Sequence, residues 1–195
     1  MVLHVICVAY NRIIPLRGLI DSFMVQTDPR WVLHIIHDGP ALNEVKDVIN
    51  LYKGEHRVRY QETPQCNGNF GHVNRKMMLE KLAGACDDFV LITNDDNYYV
   101  PAFVEYFLKA STSEVGMMYC NTVHNYIQYD VLYTRVKECF IDMGSFVVRM
   151  DVAKAVGFTQ THHSADGYYA VHCAEYCNAH RLRILYIDKP LFVHN

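Results

Sequence analysis

The feature that most constrains this chain is a repeated pairing of an apolar, β-branched run of strand length with an abrupt polar stop. It occurs at residues 2–9, VLHVICVA, before Tyr10-Asn11-Arg12, and at 31–36, WVLHII, before His37-Asp38-Gly39-Pro40. It occurs again at 88–93, DFVLIT, before Asn94-Asp95-Asp96-Asn97. Such unalternating runs suit strands covered on both faces, as in a largely parallel sheet. Between them Leu16, Leu19, Ile20, Phe23 and Met24 mark one apolar helix face, ended by Pro29, and Leu42, Val45, Val48, Ile49 and Tyr52 mark a second. Arg57 to Gln61 reads as a short strand and about His72 to Leu82 as a helix. This βαβα rhythm predicts an α/β fold with a mostly parallel central sheet flanked by helices. In such folds ligands bind at the carboxyl ends of the strands, where all three polar clusters lie.

After Pro101 the pattern loosens, and a small antiparallel portion is expected. A helix (Ala102 to Ala110) and a strand (Val115 to Cys120) precede a Tyr-rich stretch, Asn121 to Glu138, read as short antiparallel strands and loop. Residues 139–149 read as a strand and Asp151 to Val156 as a short helix capped by Asp151. A helix over Asp166 to His180 and strands at Arg183 to Ile187 and Leu191 to His194 follow. The 195 residues suit one domain, and 51% hydrophobic against 20% charged residues supports a packed core. A net charge of −3 without a dense Lys/Arg run argues against a nucleic-acid partner. No apolar run approaches the ~20 residues that cross a bilayer, and the apolar start is too short for a secretory leader. A cytoplasmic protein without a transmembrane segment is therefore expected. Seven cysteines without CxxC spacing fit reduced thiols.

The strand-end clusters carry the chemistry. Asp95 and Asp96, adjacent after an apolar strand, are either a site for Mg2+ or Mn2+ with positions left open for phosphates, or a solvated turn. Asp38 either accepts a hydrogen bond from a nucleobase N–H or closes an Asx turn. Tyr10 either stacks on a base or covers the sheet edge. Taken together, a base-reading Asp, an aromatic platform and an acidic pair on neighbouring strand ends describe a nucleoside diphosphate site. Cys173 and Cys177 with His172 and His180 lie on one predicted helix, where buried thiols explain them better than zinc. Neither GxxxxGK[ST] nor GxGxxG occurs.

Four segments in order, covering almost the whole chain, carry a resemblance. VICVAYNRIIPLRGLIDSFMVQTDPRWVLHIIHDGP, LITNDDNYYVPAFVEYF, FIDMGSFVVRMDVAKAVGF and SADGYYAVHCAEYCNAHRLRILYIDKPLFVHN resemble the inverting family-2 glycosyltransferases of the GT-A fold. They match that family's opening strand and turn, its acidic DxD-type segment, its Gly-Ser strand and its closing acid-led helix and strand.

The resemblance implies a single GT-A domain over 1–195, with a nucleotide-sugar half (1–100) and an acceptor and catalytic-base half (101–195). It implies transfer of a sugar from a nucleotide sugar, a UDP-sugar foremost, to an acceptor hydroxyl of a glycan or glycoconjugate. Ala9, Tyr10, Asn11, Arg12, Asp38, Asn74, Asp95 and Asp96 are expected to bind the donor, Asp96 and His194 the Mn2+ or Mg2+, and Asp166 to act as base. Asn94 stands where the commonest DxD form has its first acid, which lowers the expected metal affinity. Asp166 also competes with a helix-capping role, for which Ser164 and His163 are alternatives, and His162 and His163 are candidate acceptor contacts. Tyr119, Tyr126, Tyr129 and Tyr133 either line an acceptor groove or pack as strand residues. The chain is short for the family, so an acceptor-binding or membrane-associating extension is absent or belongs to a larger parent. Sugar-nucleotide pyrophosphorylases and non-catalytic sugar-binding domains are the competing classes. The first should carry a Gly-rich basic loop where this chain has AYNRIIP, and the second needs no acidic pair together with Asp166.

Overall fold

A computed structural model describes residues 1–162 and 164–195; His163, a candidate cap and acceptor contact, lies outside the described residues. The first half follows the expected alternation. Strands β1 (Leu3–Ala9), β2 (Trp31–His37), β3 (Val58–Glu62) and β4 (Phe89–Asn94) are joined by α1 (Ile13–Met24), α2 (Asn43–Asn50) and α3 (His72–Lys81). The second half adds β5 (Tyr98–Tyr99), α4 (Phe103–Ala110), β6 (Val115–His124), β7 (Asp130–Leu132), β8 (Phe146–Arg149), α5 (Met150–Val156), α6 (Ala165–Ala179) and β9 (Arg183–His194). One sheet runs β3-β2-β1-β4-β8-β6-β9-β5, with β7 against β6. The pairs from β3 to β4 are parallel, β8 is antiparallel to both β4 and β6, and β9 is parallel to β6.

Strand periodicity sets the two core layers. Leu3, Val5, Cys7 and Ala9 face one way and pack with Leu16, Leu19, Ile20 and Phe23 of α1, Val45 of α2 and Phe103 and Phe107 of α4. Ile6 and Val8 face the other way, toward Met78 and Leu79 of α3, Val152 of α5 and Tyr169 and Cys173 of α6. Cys177 also joins this second layer, so the thiols of α6 are core residues. Between β1 and β4 the chain order reverses: it winds outward through β2 and β3, then returns to lay β4 on the other flank of β1. The register sets Ala9 beside His37 and Val8 beside Asn94, so the ends of all three strands open on one crevice.

Several local expectations are corrected. Helix α1 stops at Met24, well before Pro29, because the Gln26 amide donates to the Ser22 and Val100 carbonyls and draws the chain toward β5. Met24 lies off the buried face. Residues 139–149 form a strand only from Phe146: the Asp142 carboxylate accepts the Gly144 N–H at 2.9 Å, a local turn that competes with strand pairing. Asp151 is not the cap of α5. It lies inside the first turn, paired with Arg149 at 2.7 Å. The two closing strands are one, because Pro190 falls opposite Asn121 at a register shift where the ladder is already interrupted. The two-residue β5 was too short to leave a pattern. Among the described residues no helix is long and apolar enough to cross a membrane.

Candidate active site

The crevice widens into a cleft of about 680 Å³. Of the expected residues, Ala9 lines it from β1, Tyr10 and Arg12 from the turn after β1, Asp38 and Asp95 from the turns after β2 and β4, Asp166 from α6 and His194 from β9. Asn11, Asn74 and Asp96 lie outside its immediate lining.

At the β1–β2 end, the backbone joins the two strands through the Asp38 N–H donating to the Ala9 carbonyl at 2.9 Å. The buried His37 ring closes the turn that Asp38 was a candidate for. Its Nδ1 lies 2.7 Å from the Gly39 carbonyl, and its Nε2 3.1 Å from the Asn11 N–H, a pair that assigns the proton to Nδ1. Tyr10, 56% exposed, rests its ring 5.9 Å from that imidazole.

The Asp38 side chain instead organises the loop after β3. Its Oδ1 accepts the Asn67 N–H and the Asn74 side-chain amide, each at 2.8 Å. Its Oδ2 accepts the Gly68 N–H at 3.0 Å and the Cys66 thiol at 3.2 Å. Burial alone would raise this carboxyl, but the four hydrogen bonds outweigh it and hold it below its ordinary value. The fully buried Asn74 completes the knot by accepting the Asn67 side-chain amide at 2.7 Å.

At the β4 end, Asp95 is 3% exposed and Asn97 fully buried, which excludes the solvated-turn alternative for the cluster as a whole. Asp95 accepts the Tyr10 N–H at 3.1 Å and lies 3.6 Å from the Arg12 guanidinium, which also bonds Asp96. Burial raises the Asp95 carboxyl to about 6; Arg12 and the Tyr10 N–H oppose the rise and Asp96 adds to it. Asn94, in place of the first acid, accepts a hydrogen bond from Arg75.

The third wall joins α6, the turn before β8, and the ends of β6 and β9. Asp166 lies in the first turn of α6 and accepts the Gly167 N–H at 2.8 Å, while the N-cap position is Ser164, whose side chain makes no capping bond. His194 Nε2 lies 3.3 Å from Asp142 and its Nδ1 3.2 Å from the Asn125 side-chain oxygen, with its ring stacked on His124 at 4.3 Å. Burial raises the Asp142 carboxyl; His194 opposes this, and the charges of Asp166 and Asp96 add to it. Of the tyrosines, Tyr126 lines the cleft, whereas Tyr119 packs on Tyr186 at 5.1 Å.

Among the lining residues that escaped the sequence reading are Arg75, Asp142 and Phe70. Arg75, on the buried side of α3, donates to the Phe70 carbonyl at 2.5 Å, and its Nε has no partner among the described residues. Burial lowers its pKa to about 10 against the pull of Asp166, Asp142 and Asp95. A cation on a short helix of low amphipathicity gives no sign of burial. For Asp142 the Asp-x-Gly-Ser turn was the available signal.

A divalent cation is implied by the resemblance, and the donor chemistry fits one. Carboxylate oxygens and an imidazole gather in a buried, acid-rich region where the acids raise one another, which a dication would relieve. Among the described residues no three His, Cys, Asp or Glu side chains are placed to hold an ion unaided. The fit is therefore to an ion that completes its shell with phosphate and water oxygens.

No protein-family model matches the sequence, and no curated protein matches it. Solved structures do. TarS from S. aureus, residues 1–349 in complex with UDP, matches 100% of this chain with a TM-score of 0.78 at 14% identity, over 60% of its own length. The same TarS segment in complex with UDP-GlcNAc matches at 13% identity and a TM-score of 0.78, over 58% of its length. The mannosyltransferase PcManGT from Pyrobaculum calidifontis, in complex with GDP-Man and Mn2+, matches 98% of this chain with a TM-score of 0.71 at 14% identity, over 56% of its length. This chain thus spans at most about 60% of each of these proteins. At such identities the likeness establishes the fold: the chain has the mixed α/β architecture of TarS and of this mannosyltransferase, as the resemblance implied.

Proposed function

We propose that this chain is the nucleotide-sugar-binding and transfer core of an inverting, metal-assisted glycosyltransferase. The observation that carries the reading is convergence. The ends of β1, β2, β4 and β9, the start of α6, helix α3 and the turn before β8 deliver an aromatic ring, two arginines, an imidazole and four acids to one cleft, at the switch point of a glycosyltransferase fold.

In this reading Tyr10 packs on the base and Asp38 reads it through Oδ2, whose longest bond, to the Cys66 thiol, is the one a base N–H would replace. Arg12, on the cleft wall and half exposed, draws the diphosphate, Ala9 lines the pocket, and the Asn11 N–H holds the His37 ring behind it. Asp166 takes the acceptor hydroxyl proton as that oxygen bonds to the anomeric carbon and the bond to the nucleoside diphosphate breaks on the opposite face. A Mn2+ or Mg2+ ion on Asp96 and His194 would supply neutralisation of the departing diphosphate charge. UDP-sugars are the foremost donors, since TarS is solved with UDP and UDP-GlcNAc; GDP-sugars come second. The acceptor is a carbohydrate or glycoconjugate hydroxyl.

The test is calorimetric titration with UDP, GDP and their sugars, with Mn2+ and with EDTA, followed by detection of released nucleoside diphosphate. Binding of a nucleotide sugar that weakens in EDTA, with slow hydrolysis, is expected. A protein that binds none of them refutes the reading.

A further inference from the structure

Gly68, Asn69, Phe70 and Gly71 occupy positive φ in succession, at 61°, 51°, 54° and 76°. Glycine and asparagine reach that region readily, but for a bulky aromatic it is an outlier that persists only where surrounding bonds over-determine it. They do so here. The Asp38 carboxylate holds 66–68 from one side, the Gly71 N–H donates to the Gly68 carbonyl at 2.9 Å, and Arg75 clamps the Phe70 carbonyl at 2.5 Å. At Gly71 any Cβ would meet Val8 Cγ1 at 2.6 Å, so the loop is seated directly on β1.

All this anchoring does not bury the phenyl ring. Phe70 remains 65% exposed on the wall of the cleft that Asp38 and Asp166 also line. Two residues on, His72 Nε2 lies 3.1 Å from the His162 carbonyl, tying the loop to the segment that leads into α6. The ring packs on His72 at 5.8 Å, and a strained backbone that still leaves most of it open to the cleft points to a role at the site.

Resting on the nucleotide-sugar reading, we propose that Phe70 is a specificity-determining platform for the donor's sugar, the C–H face of a pyranose packing on its ring. The base lies farther back, at Tyr10 and Asp38. The negative face of an aromatic ring favours the weakly positive C–H edge of a sugar, and its fixed orientation favours one epimer over another. Asp38, Asn74 and Arg75 act as positioning residues for this platform.

The full chain with Phe70→Ala, Phe70→Tyr and Phe70→Gly tests it, using UDP and UDP-GlcNAc as probes for calorimetry and urea unfolding. The expected result for Phe70→Ala is UDP affinity within about twofold of wild type and UDP-GlcNAc affinity lowered about tenfold, with Phe70→Tyr restoring it. Phe70→Gly should lose the same sugar affinity while unfolding at an equal or higher urea midpoint, since glycine accepts the positive φ. Equal weakening of UDP and UDP-GlcNAc would place the ring on the base and overturn the proposal. So would unchanged affinities, or a lower midpoint for Phe70→Gly, which would make the ring a structural element. Wild-type protein that binds neither UDP nor UDP-GlcNAc overturns this proposal for these probes, whereas the parent reading falls only if the GDP compounds also fail.

Discussion

Replacing Asp38 by Asn isolates the knot that holds the 66–71 loop. The side chain keeps its shape, but one of its two oxygens becomes an NH2 group. If the amide oxygen takes the Oδ1 side, the Gly68 N–H loses its acceptor; if it takes the Oδ2 side, the Asn67 N–H does. Asn74 and Asn67 can turn their own amides to follow, yet one backbone N–H is stranded either way. A stranded donor in this part-buried loop costs toward the low end of about 1–3 kcal/mol, and the surviving bonds lose their charge assistance, so about 3 kcal/mol is expected in total. That corresponds to roughly 6–12 °C in melting temperature for a chain of this size. The single tryptophan, Trp31, is 1% exposed and reports the urea transition by fluorescence. The pH dependence adds a second arm. The native Asp38 carboxyl is held below its ordinary value, so its contribution is present above the unfolded value of about 3.9 and lost as pH falls through the native one. The gap between wild type and variant should therefore be full at pH 7 and narrow below about pH 4. A gap under about 0.5 kcal/mol at pH 7, or one that does not depend on pH, refutes the account.

Three further outcomes follow from the cleft. Asp95 has its carboxyl raised from 3.8 to about 6, so the native state holds its proton more tightly than the unfolded chain and stability falls as pH rises from about 4 to 6. In EDTA, Asp95→Asn should then be about 2–3 kcal/mol more stable than wild type at pH 7.5 and equal near pH 4; urea midpoints at both pH values check it, and a less stable variant at pH 7.5 contradicts it. Asp166→Asn should keep nucleotide-sugar affinity while transfer falls by roughly 10²–10⁴, and normal turnover would move the base elsewhere. Asp96→Asn should abolish the Mn2+-dependent part of UDP binding measured by calorimetry, leaving the EDTA-resistant part intact.

Much of the fold was legible because it is written in local periods. The unbroken apolar runs of β1, β2 and β4 and the spaced apolar positions of α1 identify buried strands and a one-faced helix without any knowledge of neighbours. What failed was where a side chain overrode the period: Asp142 turning residues 142–145 away from a strand, and Gln26 drawing the end of α1 toward β5. The continuous β9 across Pro190 was hidden for the same reason, since a tolerated proline depends on the partner strand being irregular at that point.

The chain itself therefore determined that polar clusters would follow buried strands, and hence that any site would lie at strand ends. Only the tertiary structure decided which clusters meet. Crossing from β3 back to β4 sets Tyr10 beside Asp95, and packing α3 against β1 buries Asn74 against Asp38 and Arg75 against Asn94. The closure of β9 on β6 likewise brings His194 to Asp142, a pair 52 positions apart in sequence. Such pairings arise from sheet order and register, which no local pattern encodes, because the energy that selects them is the burial of two opposite sheet faces at once.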